Sequence, residues 1–324
     1  MDKERSHREL AKSWPFETHR DFEKRMRDVA SQWFKRKGYE TQKRGYILAK
    51  YDDWHRNIIS QDVVDYIKLE RNKRANNRKG FPLHQYIHHG LSSQAMLFNL
   101  IGPLISTGNQ DLSPLRVAFN KHEIGWPAGK LTAEFEVEDR SIFSENTQQP
   151  TSIDLVIENE GQEEDRKDGL YIEFKFVEHE FGGCSVFKNG DCDGRNPAGN
   201  VSNCYLHHIG RKYWNLLDKY EFLKGSMANN ATCFLATYYQ FFREVLFALE
   251  RNGVFILLVD KRNPTFSCGK NGERGLFPFL KSFVPDRYKD KVYMVSVQEV
   301  VTTIKDSGKH SWITEFEQKY GIEC

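Results

Sequence analysis

The sequence predicts an α/β protein whose mixed central sheet is flanked by helices and preceded by a helical N-terminal extension. Three strand-like segments follow one another at residues 131–139, 152–159 and 170–178. The continuous apolar run GVFILLVD, residues 253–260, is typical of a fully buried central strand. Segments with helical periodicity lie before and after the three strands, so the predicted core order is α-β-β-β-α-β.

Amphipathic helices are predicted in the first quarter of the chain. Residues 17–37 place apolar side chains at three- and four-residue spacing, and a second helix follows around residues 60–70. The polar run RNKRANNRKGFP then indicates a loop or a boundary. We therefore interpret residues 1–80 as a basic, mainly helical accessory region and residues 81–324 as a second domain.

The second domain is expected to open with a helix and to close with a strand and a helix. Ser92 or Ser93 is suited to cap the opening helix, which Gly102-Pro103 should end. The remaining predicted elements are helices at about 203–223 and 232–251 and a strand within 291–301 that leads into a C-terminal helix.

The composition describes a water-soluble globular chain. Hydrophobic residues make up 39% and charged residues 28% of the 324 residues, and no apolar run approaches the roughly 18 residues that a membrane span needs. The first residues, MDKERSHREL, lack the apolar core of a signal peptide. We expect a cytoplasmic protein without a membrane partner.

Charge is distributed unevenly along the chain. Residues 1–80 contain 21 Lys and Arg against 13 Asp and Glu, a net charge of +8, and the remainder of the chain has a net charge of −6. Basic clusters favour binding to a polyanion, although a solvated helix face explains the charge equally well. The candidate nucleic-acid contacts in this region are Lys35, Arg36, Lys43 and Arg44.

Two of the predicted strands carry acidic residues that can face each other. If residues 152–159 and 170–178 form an antiparallel hairpin centred on their connector, Asp154 lies opposite Glu173, because facing residue numbers then sum to 327. Side chains alternate along a strand, so Lys175 shares a face with Glu173. Like charges directly opposite each other destabilise a sheet unless a cation lies between them.

A divalent cation resolves this repulsion. Mg²⁺ commonly binds one or two carboxylates together with water and phosphate oxygens. Lys175 could then orient or deprotonate an attacking water and stabilise negative charge on a phosphate. Asp154, Glu173 and Lys175 therefore outline a site for phosphodiester hydrolysis, with Asp154 and Glu173 as the metal ligands.

The order Asp, hairpin, Glu-x-Lys resembles the PD-(D/E)XK nuclease superfamily, whose fold is restriction-endonuclease-like. Ile153-Asp154 and Glu173-Phe174-Lys175 carry the resemblance, and Thr151-Ser152-Ile153 replaces the Pro of the superfamily's name. The segments LSSQAMLFNLIGPL, IDLVIEN, YIEFKFVE, FGGCSVFKNGDCDG and IGRKYW are similar to those of bacterial restriction endonucleases in this superfamily. The resemblance covers most of the chain beyond residue 80.

The resemblance implies a Mg²⁺-dependent endonuclease that cleaves DNA in restriction, defence or DNA processing, with Mn²⁺ as a substitute. It also implies that the helix before the first strand supports the metal site, and Gln94 or Asn99 matches that supporting residue.

Two other functions stay open: a non-catalytic nucleic-acid-binding module of the same fold, and a nuclease that acts on RNA or repair intermediates. A homodimer is a further expectation, because enzymes that cut both strands often pair two sites.

Several other polar residues have weaker patterns. Glu134 and Glu136 compete for the role of an extra carboxylate, but alternating polar positions in a strand usually face solvent. The helix after the third strand offers candidate phosphate contacts. These are Arg211, Lys212 and Tyr213.

The cysteines allow two interpretations. Six cysteines spread over this length do not resemble the disulfide framework of a small secreted domain. Their spacing favours ordinary buried thiols. The alternative is a structural zinc site, with Cys184, Cys192, Cys204 and His207 as its ligands.

Overall fold

A five-stranded mixed sheet organises the chain in the computed structural model, which describes residues 9, 12, 16, 18–76, 80–106, 110–145, 150–160, 168–225, 227–267 and 275–323. The strands lie in the sheet in sequence order. The two pairings within the first three strands are antiparallel, and the last two pairings are parallel. The strands are β1 (Leu131–Glu138), β2 (Ser152–Asn159), β3 (Gly169–Lys175), β4 (Val254–Val259) and β5 (Val292–Ser296).

Helices precede, interrupt and follow this sheet. Within the described residues, those that precede it are α1 (Arg20–Arg36), α2 (Gln61–Asn76), α3 (Ser93–Ile105) and α4 (Ser113–Asn120). Those between β1 and β4 are α5 (Arg140–Phe143), α6 (Ser185–Asn189), α7 (Tyr205–His208), α8 (Tyr213–Lys219) and α9 (Phe234–Glu250). The last ones are α10 (Pro264–Ser267), α11 (Leu276–Lys281), α12 (Val297–Asp306) and α13 (Ile313–Tyr320).

Both faces of the sheet are buried under helices. Leu170, Ile172 and Phe174 of β3 belong to the hydrophobic cluster that includes α3 and α12, whereas Tyr171 belongs to the cluster that includes α8 and α9. The alternation of β3 side chains between two cores is what a buried central strand requires. The predicted mixed sheet flanked by helices is thereby confirmed and is compatible with a restriction-endonuclease-like fold.

The N-terminal helices share a core with the sheet. Phe22 and Met26 of α1 and Val63 of α2 are buried in the same cluster as Ile172 of β3. Helix α2 extends to Asn76, so the loop predicted for the first residues of RNKRANNRKGFP is wrong. The domain boundary at residue 80 stays a prediction.

The end of α3 differs from the prediction, which placed it at Gly102-Pro103. The helix runs through Gly102 and Pro103 to Ile105 instead of stopping there. A Cβ atom at Gly102 would lie 2.6 Å from Val63 Cγ1, so this glycine permits the close approach of α2. The Ser92 cap is confirmed, because its side chain accepts a hydrogen bond from the Ala95 N–H.

Two further element boundaries differ from the prediction. The single helix expected at 203–223 is divided into α7 and α8, and Gly210 between them has φ +83°, which an α-helix does not accommodate. Strand β3 ends at Lys175 rather than at residue 178. The Asn263 amide donates to the carbonyl oxygens of Phe176 (3.1 Å) and Glu178 (2.7 Å) and holds the chain beyond the strand.

Among the helices of the described ranges, none is both long and apolar enough to span a membrane.

Candidate active site

The hairpin of β2 and β3 places Asp154 against Glu173. Leu155 pairs with Ile172 and Val156 with Tyr171, so facing residue numbers sum to 327 as predicted. The same register, carried one residue further, sets Asp154 opposite Glu173. The Phe174 N–H donates to Asp154 Oδ2 at 2.9 Å, which holds the carboxylate at the edge between the two strands. The centre of the connector, residues 161–167, lies outside the described residues.

Lys175 and Glu173 form a buried ion pair. Their side chains are 7% and 2% exposed, and Lys175 Nζ donates to Glu173 Oε1 at 2.5 Å. Gln240 of α9 bridges the pair, since its Nε2 donates to Glu173 Oε1 (2.7 Å) and its Oε1 accepts from Lys175 Nζ (3.0 Å). One amide thus fixes both side chains. Gln240 was not identified from the sequence.

Glu136 brings a further carboxylate to the site. Phe135 pairs with Leu155 and Val137 with Ile153, so Glu136 lies across from Asp154. Its side chain is buried and its φ is +53°, a backbone conformation that is unfavourable for a residue with a Cβ atom. The expectation that Glu136 faces solvent is wrong, because this left-handed residue interrupts the alternation of β1. Glu134, in contrast, is exposed.

Backbone and side-chain contacts hold Glu136 in place. Gln94 Nε2 donates to Glu136 Oε1 at 2.6 Å, and Ser152 Oγ donates to Oε2 at 3.0 Å. Arg74 of α2 donates to the carbonyl oxygens of Glu136 (2.6 Å) and Phe135 (2.7 Å). The basic N-terminal region therefore supports the strand that carries this carboxylate.

Of the two amides proposed for the helix before β1, only Gln94 reaches the acidic cluster. Its Oε1 accepts from the His84 N–H (2.8 Å), and its Nε2 also donates to the Pro82 carbonyl (2.9 Å). Asn99 instead binds Asn57 and Tyr320 in the core. Gln94 therefore contacts the acidic cluster through Glu136.

Glu244 lies at the base of the site, one helical turn after Gln240. Its side chain is fully buried. Neither of its carboxylate oxygens has a hydrogen-bond partner among the described residues, and the same holds for Glu173 Oε2. Burying a carboxylate oxygen without a partner is costly, so this arrangement calls for a proton or a cation.

The electrostatics of the cluster agree with that requirement. Burial, reinforced by Glu173 and Glu136, raises the pKa of Asp154 well above its ordinary value. Burial likewise raises the pKa of Glu244 strongly and that of Glu136 to about 7. Burial lowers the pKa of Lys175, but the neighbouring carboxylates, Glu173 first, outweigh it and raise that pKa above its usual value.

The cluster fits a hard divalent cation. Asp154 and Glu173 offer oxygen ligands, one of which is buried without a partner among the described residues. The pKa of Asp154 is raised by burial first and by the neighbouring carboxylates second, and a bound cation would offset both effects. Within the described ranges, no three His, Cys, Asp or Glu side chains are arranged to hold an ion by themselves. Mg²⁺ does not require three, because it commonly keeps several water ligands.

The residues predicted to contact nucleic acid divide into two groups. Arg211 and Tyr213 are buried: the Arg211 guanidinium donates to the Ser144 carbonyl, and the Tyr213 hydroxyl donates to Glu145 Oε1 at 2.5 Å. Both line a cavity of about 360 Å³ that also adjoins Gln240. The residues of the second group are exposed, and their contact with nucleic acid stays a prediction. They are Lys35, Arg36, Lys43, Arg44 and Lys212.

Comparison with known families identifies a matching family model. The model of a family described as restriction endonuclease associating with ARP matches residues 26–321. No curated protein and no solved structure matches the chain. The family match begins within α1 and spans α2, the sheet and the acidic cluster. The chain therefore belongs to this family of restriction endonucleases.

Proposed function

We propose that the protein is a metal-dependent endonuclease that hydrolyses DNA phosphodiester bonds in restriction or DNA processing. Membership of a restriction endonuclease family supports a nuclease that interacts with DNA. The observation that carries the proposal is the convergence of the half-buried Asp154 with the buried Glu173 and Lys175 on one acidic edge of the β2–β3 hairpin.

Asp154 and Glu173 would hold Mg²⁺, with Mn²⁺ as a substitute. The bound ion supplies Lewis-acid polarisation of the phosphate and lowers the pKa of bound water. The protein's own contribution is to fix the two carboxylates before the substrate arrives. The Phe174 N–H holds Asp154, and the Gln240 amide holds Glu173.

Lys175 acts in this proposal as a fixed positive charge. Its raised pKa favours the ammonium form, so it is better suited to orienting water and stabilising negative charge on the phosphate than to accepting a proton. Glu136 and Glu244 add two further carboxyl groups around the pair, and burial raises the pKa of both. Gln94 positions Glu136 and does not reach the metal ligands directly.

Plasmid cleavage with purified protein tests the proposal. Wild type should nick or cut DNA with Mg²⁺ or Mn²⁺ and should be inactive with EDTA. Asp154→Ala and Lys175→Ala should each abolish cleavage, whereas Lys188→Ala, which removes a half-exposed lysine, should not. Equal cleavage by wild type and both site variants would refute the assignment.

A substrate panel separates the other candidate functions. Chemistry at the phosphate does not distinguish the attached bases, so duplex DNA, single-stranded DNA, RNA and branched repair intermediates should be compared. Preference for RNA or a branched substrate would replace the DNA assignment. Metal-independent binding without turnover would favour a non-catalytic module. A homodimer stays a prediction, which sedimentation with and without DNA would test.

A further inference from the structure

A cavity on the α9 side of the sheet adjoins the Glu173–Lys175 pair. Its volume is about 360 Å³, and Gln240, which contacts both members of the pair, forms part of its wall. The exposed Ser185 also lines the cavity, so it opens to the surface. The remaining polar side chains of the wall are Glu145, Arg211, Tyr213, Tyr239 and Arg243. A ligand from solution can therefore reach a position beside Gln240.

The charge of the wall favours an anion. Among the described residues, the wall contains two guanidinium groups, those of Arg211 and Arg243, and one carboxylate, that of Glu145. Arginine stays protonated in proteins, so positive charge exceeds negative charge around the cavity. A cleft lined by an excess of one charge attracts ligands of the opposite charge.

The Glu145 carboxylate is held by donors other than arginine. The Thr151 N–H donates to Oε2 at 2.6 Å, and the Thr151 hydroxyl donates to Oε1 at 3.0 Å. The Tyr213 hydroxyl donates to Oε1 at 2.5 Å. Arg243 Nη1 lies 3.7 Å from the same oxygen, which makes an ion pair but is too long for a hydrogen bond. Glu145 therefore orients Arg243 without accepting a hydrogen bond from Nη1.

The Arg243 guanidinium keeps hydrogen-bonding capacity for a ligand. Its Nε is buried and has no hydrogen-bond partner among the described residues. Its Cζ lies 4.7 Å from the centre of the Tyr239 ring, and this contact holds the guanidinium without using an N–H group. A buried donor without an acceptor is costly, and a phosphate offers acceptor oxygens that match the guanidinium fork. The unused donor therefore favours a phosphate as the ligand.

Helix α9 places Arg243 next to the residue that holds the catalytic pair. Gln240 and Arg243 are three residues apart, and side chains at this spacing are neighbours on one face of a helix. The Gln240 N–H donates to the Gly182 carbonyl at 3.0 Å, and Gly182 and Gly183 line the cavity. A Cβ atom at Gly183 would collide with the Ala236 carbonyl oxygen, so this glycine permits the close approach of the loop to α9.

We propose that the cavity binds the phosphate group next to the scissile phosphate of the nucleic-acid strand, with Arg243 as its main hydrogen-bond donor. The inference rests on the proposed nuclease function, in which Asp154 and Glu173 hold the scissile phosphate through the metal. Gln240 lies between the two phosphate positions. Arg211 and Tyr213 shape the wall in this proposal, because their side chains bind the Ser144 carbonyl and Glu145.

DNA affinity, measured with EDTA so that no cleavage occurs, tests the role of Arg243. Arg243→Gln should bind a labelled duplex about 10–100-fold more weakly, the usual effect of losing a hydrogen bond to a charged group. The slope of log K against log salt should fall by about 0.9, because one phosphate is no longer neutralised. Arg243→Lys should restore the slope and part of the affinity. Arg287→Gln, which removes an exposed arginine, is the matched control and should leave affinity unchanged.

Removing the charge of single phosphates tests the position in wild type, where no variant has to fold. A methylphosphonate at one of the two phosphates that flank the mapped cleavage position should weaken binding by about the same factor as Arg243→Gln. The same methylphosphonate should have little further effect in Arg243→Gln, because both changes remove one contact. Positions further along the strand should not show this dependence on Arg243.

Failure of the cavity assignment differs from failure of the nuclease assignment. Metal-dependent cleavage by wild type, together with unchanged affinity and salt slope in a folded Arg243→Gln, would overturn the cavity assignment alone. Wild-type binding that is insensitive to both flanking methylphosphonates would overturn it as well. If wild type does not cleave but Arg243→Gln still weakens binding, the nuclease assignment fails and the cavity keeps its role as a phosphate site.

Discussion

Lys175 and Glu173 are joined by a 2.5 Å hydrogen bond on one face of β3, with less than a tenth of either side chain exposed. A buried pair of this kind is weak evidence for stability as a pair, but removing one partner leaves an uncompensated charge. The pair therefore makes the site sensitive to single substitutions at either position.

Replacing Lys175 by Met should destabilise the folded protein. Glu173 would lose its cation while Glu244, already without partners among the described side chains, lies close by. We expect a loss of about 3–5 kcal/mol in the free energy of unfolding, the usual cost of breaking a buried ion pair. Urea denaturation at pH 8 measures it. Lys188→Met is the matched control, and a comparable loss in that variant would contradict the interpretation.

Asp154→Asn should stabilise the metal-free protein while removing its response to Mg²⁺. Burial and the neighbouring carboxylates oppose ionisation of Asp154, and a neutral amide avoids that cost. A ligand that binds only the folded state raises its stability, so wild type should show a higher melting temperature with Mg²⁺. The variant should melt above wild type without the ion and should not shift with it. An undiminished Mg²⁺ shift would place the ion elsewhere.

The pKa of about 7 at Glu136 predicts a pH dependence of stability. Because the folded-state pKa lies above the unfolded value, the folded protein binds more protons between these two pKa values. Stability should therefore fall as pH rises from about 4.5 through 7, and Glu136→Gln should weaken this slope. Thermal unfolding at pH 5, 6, 7 and 8 without divalent ions tests it. Glu134→Gln, at an exposed position of the same strand, should leave the slope unchanged.

The buried amine of Lys319, far from the acidic cluster in sequence, predicts that stability rises with pH, which is the opposite of the trend expected from Glu136. Burial lowers its pKa to about 7, and Nζ donates to the carbonyl and side-chain oxygens of Asn57. Since the folded state disfavours the charged amine, wild type should lose stability relative to Lys319→Met as pH falls from about 10 to 7. Below pH 7 the difference should level off. A difference between the two proteins that does not change with pH would contradict the shifted pKa.

Gln240→Ala should slow DNA cleavage without changing DNA affinity. The amide contacts both Glu173 and Lys175, so its loss frees two side chains that the proposed mechanism requires to be fixed. Residues that orient metal ligands typically contribute 10–100-fold, and we expect about this loss in the rate of cleavage. Single-turnover kinetics and a binding titration separate the two effects. A change confined to binding would assign Gln240 to the DNA interface.

The hairpin register could be predicted from the sequence because two short strands and their connector leave few pairings. The approach of Asp154 to Glu173 follows from the antiparallel register, in which Leu155 faces Ile172 and Val156 faces Tyr171. The side-chain period of two then places Lys175 on the same face as Glu173. Local periodicity thus sufficed for the facing carboxylates and for the element order around them.

Glu136 could not be predicted in the same way. Its polar neighbours in TAEFEVED give the pattern of a half-exposed strand, and only its left-handed backbone turns it inward. Gln240 and Glu244 could not be predicted either. The apolar periodicity of α9 shows which face of the helix is buried, but it does not show which of its polar side chains contact β3. Gly102 was misread because a glycine that permits close packing looks the same in sequence as one that ends a helix.

The position of Arg74 changes what the charge of the N-terminal region means. Arg74 lies in the basic second half of α2. Its guanidinium nevertheless donates to two carbonyl oxygens of β1, and only 11% of its side chain is exposed. Lys37, by contrast, is exposed and pairs with Glu315 at the surface. A cation committed to the interior of a protein releases no counterion from a polyanion. The +8 counted for residues 1–80 is therefore larger than the charge that an approaching nucleic acid would meet.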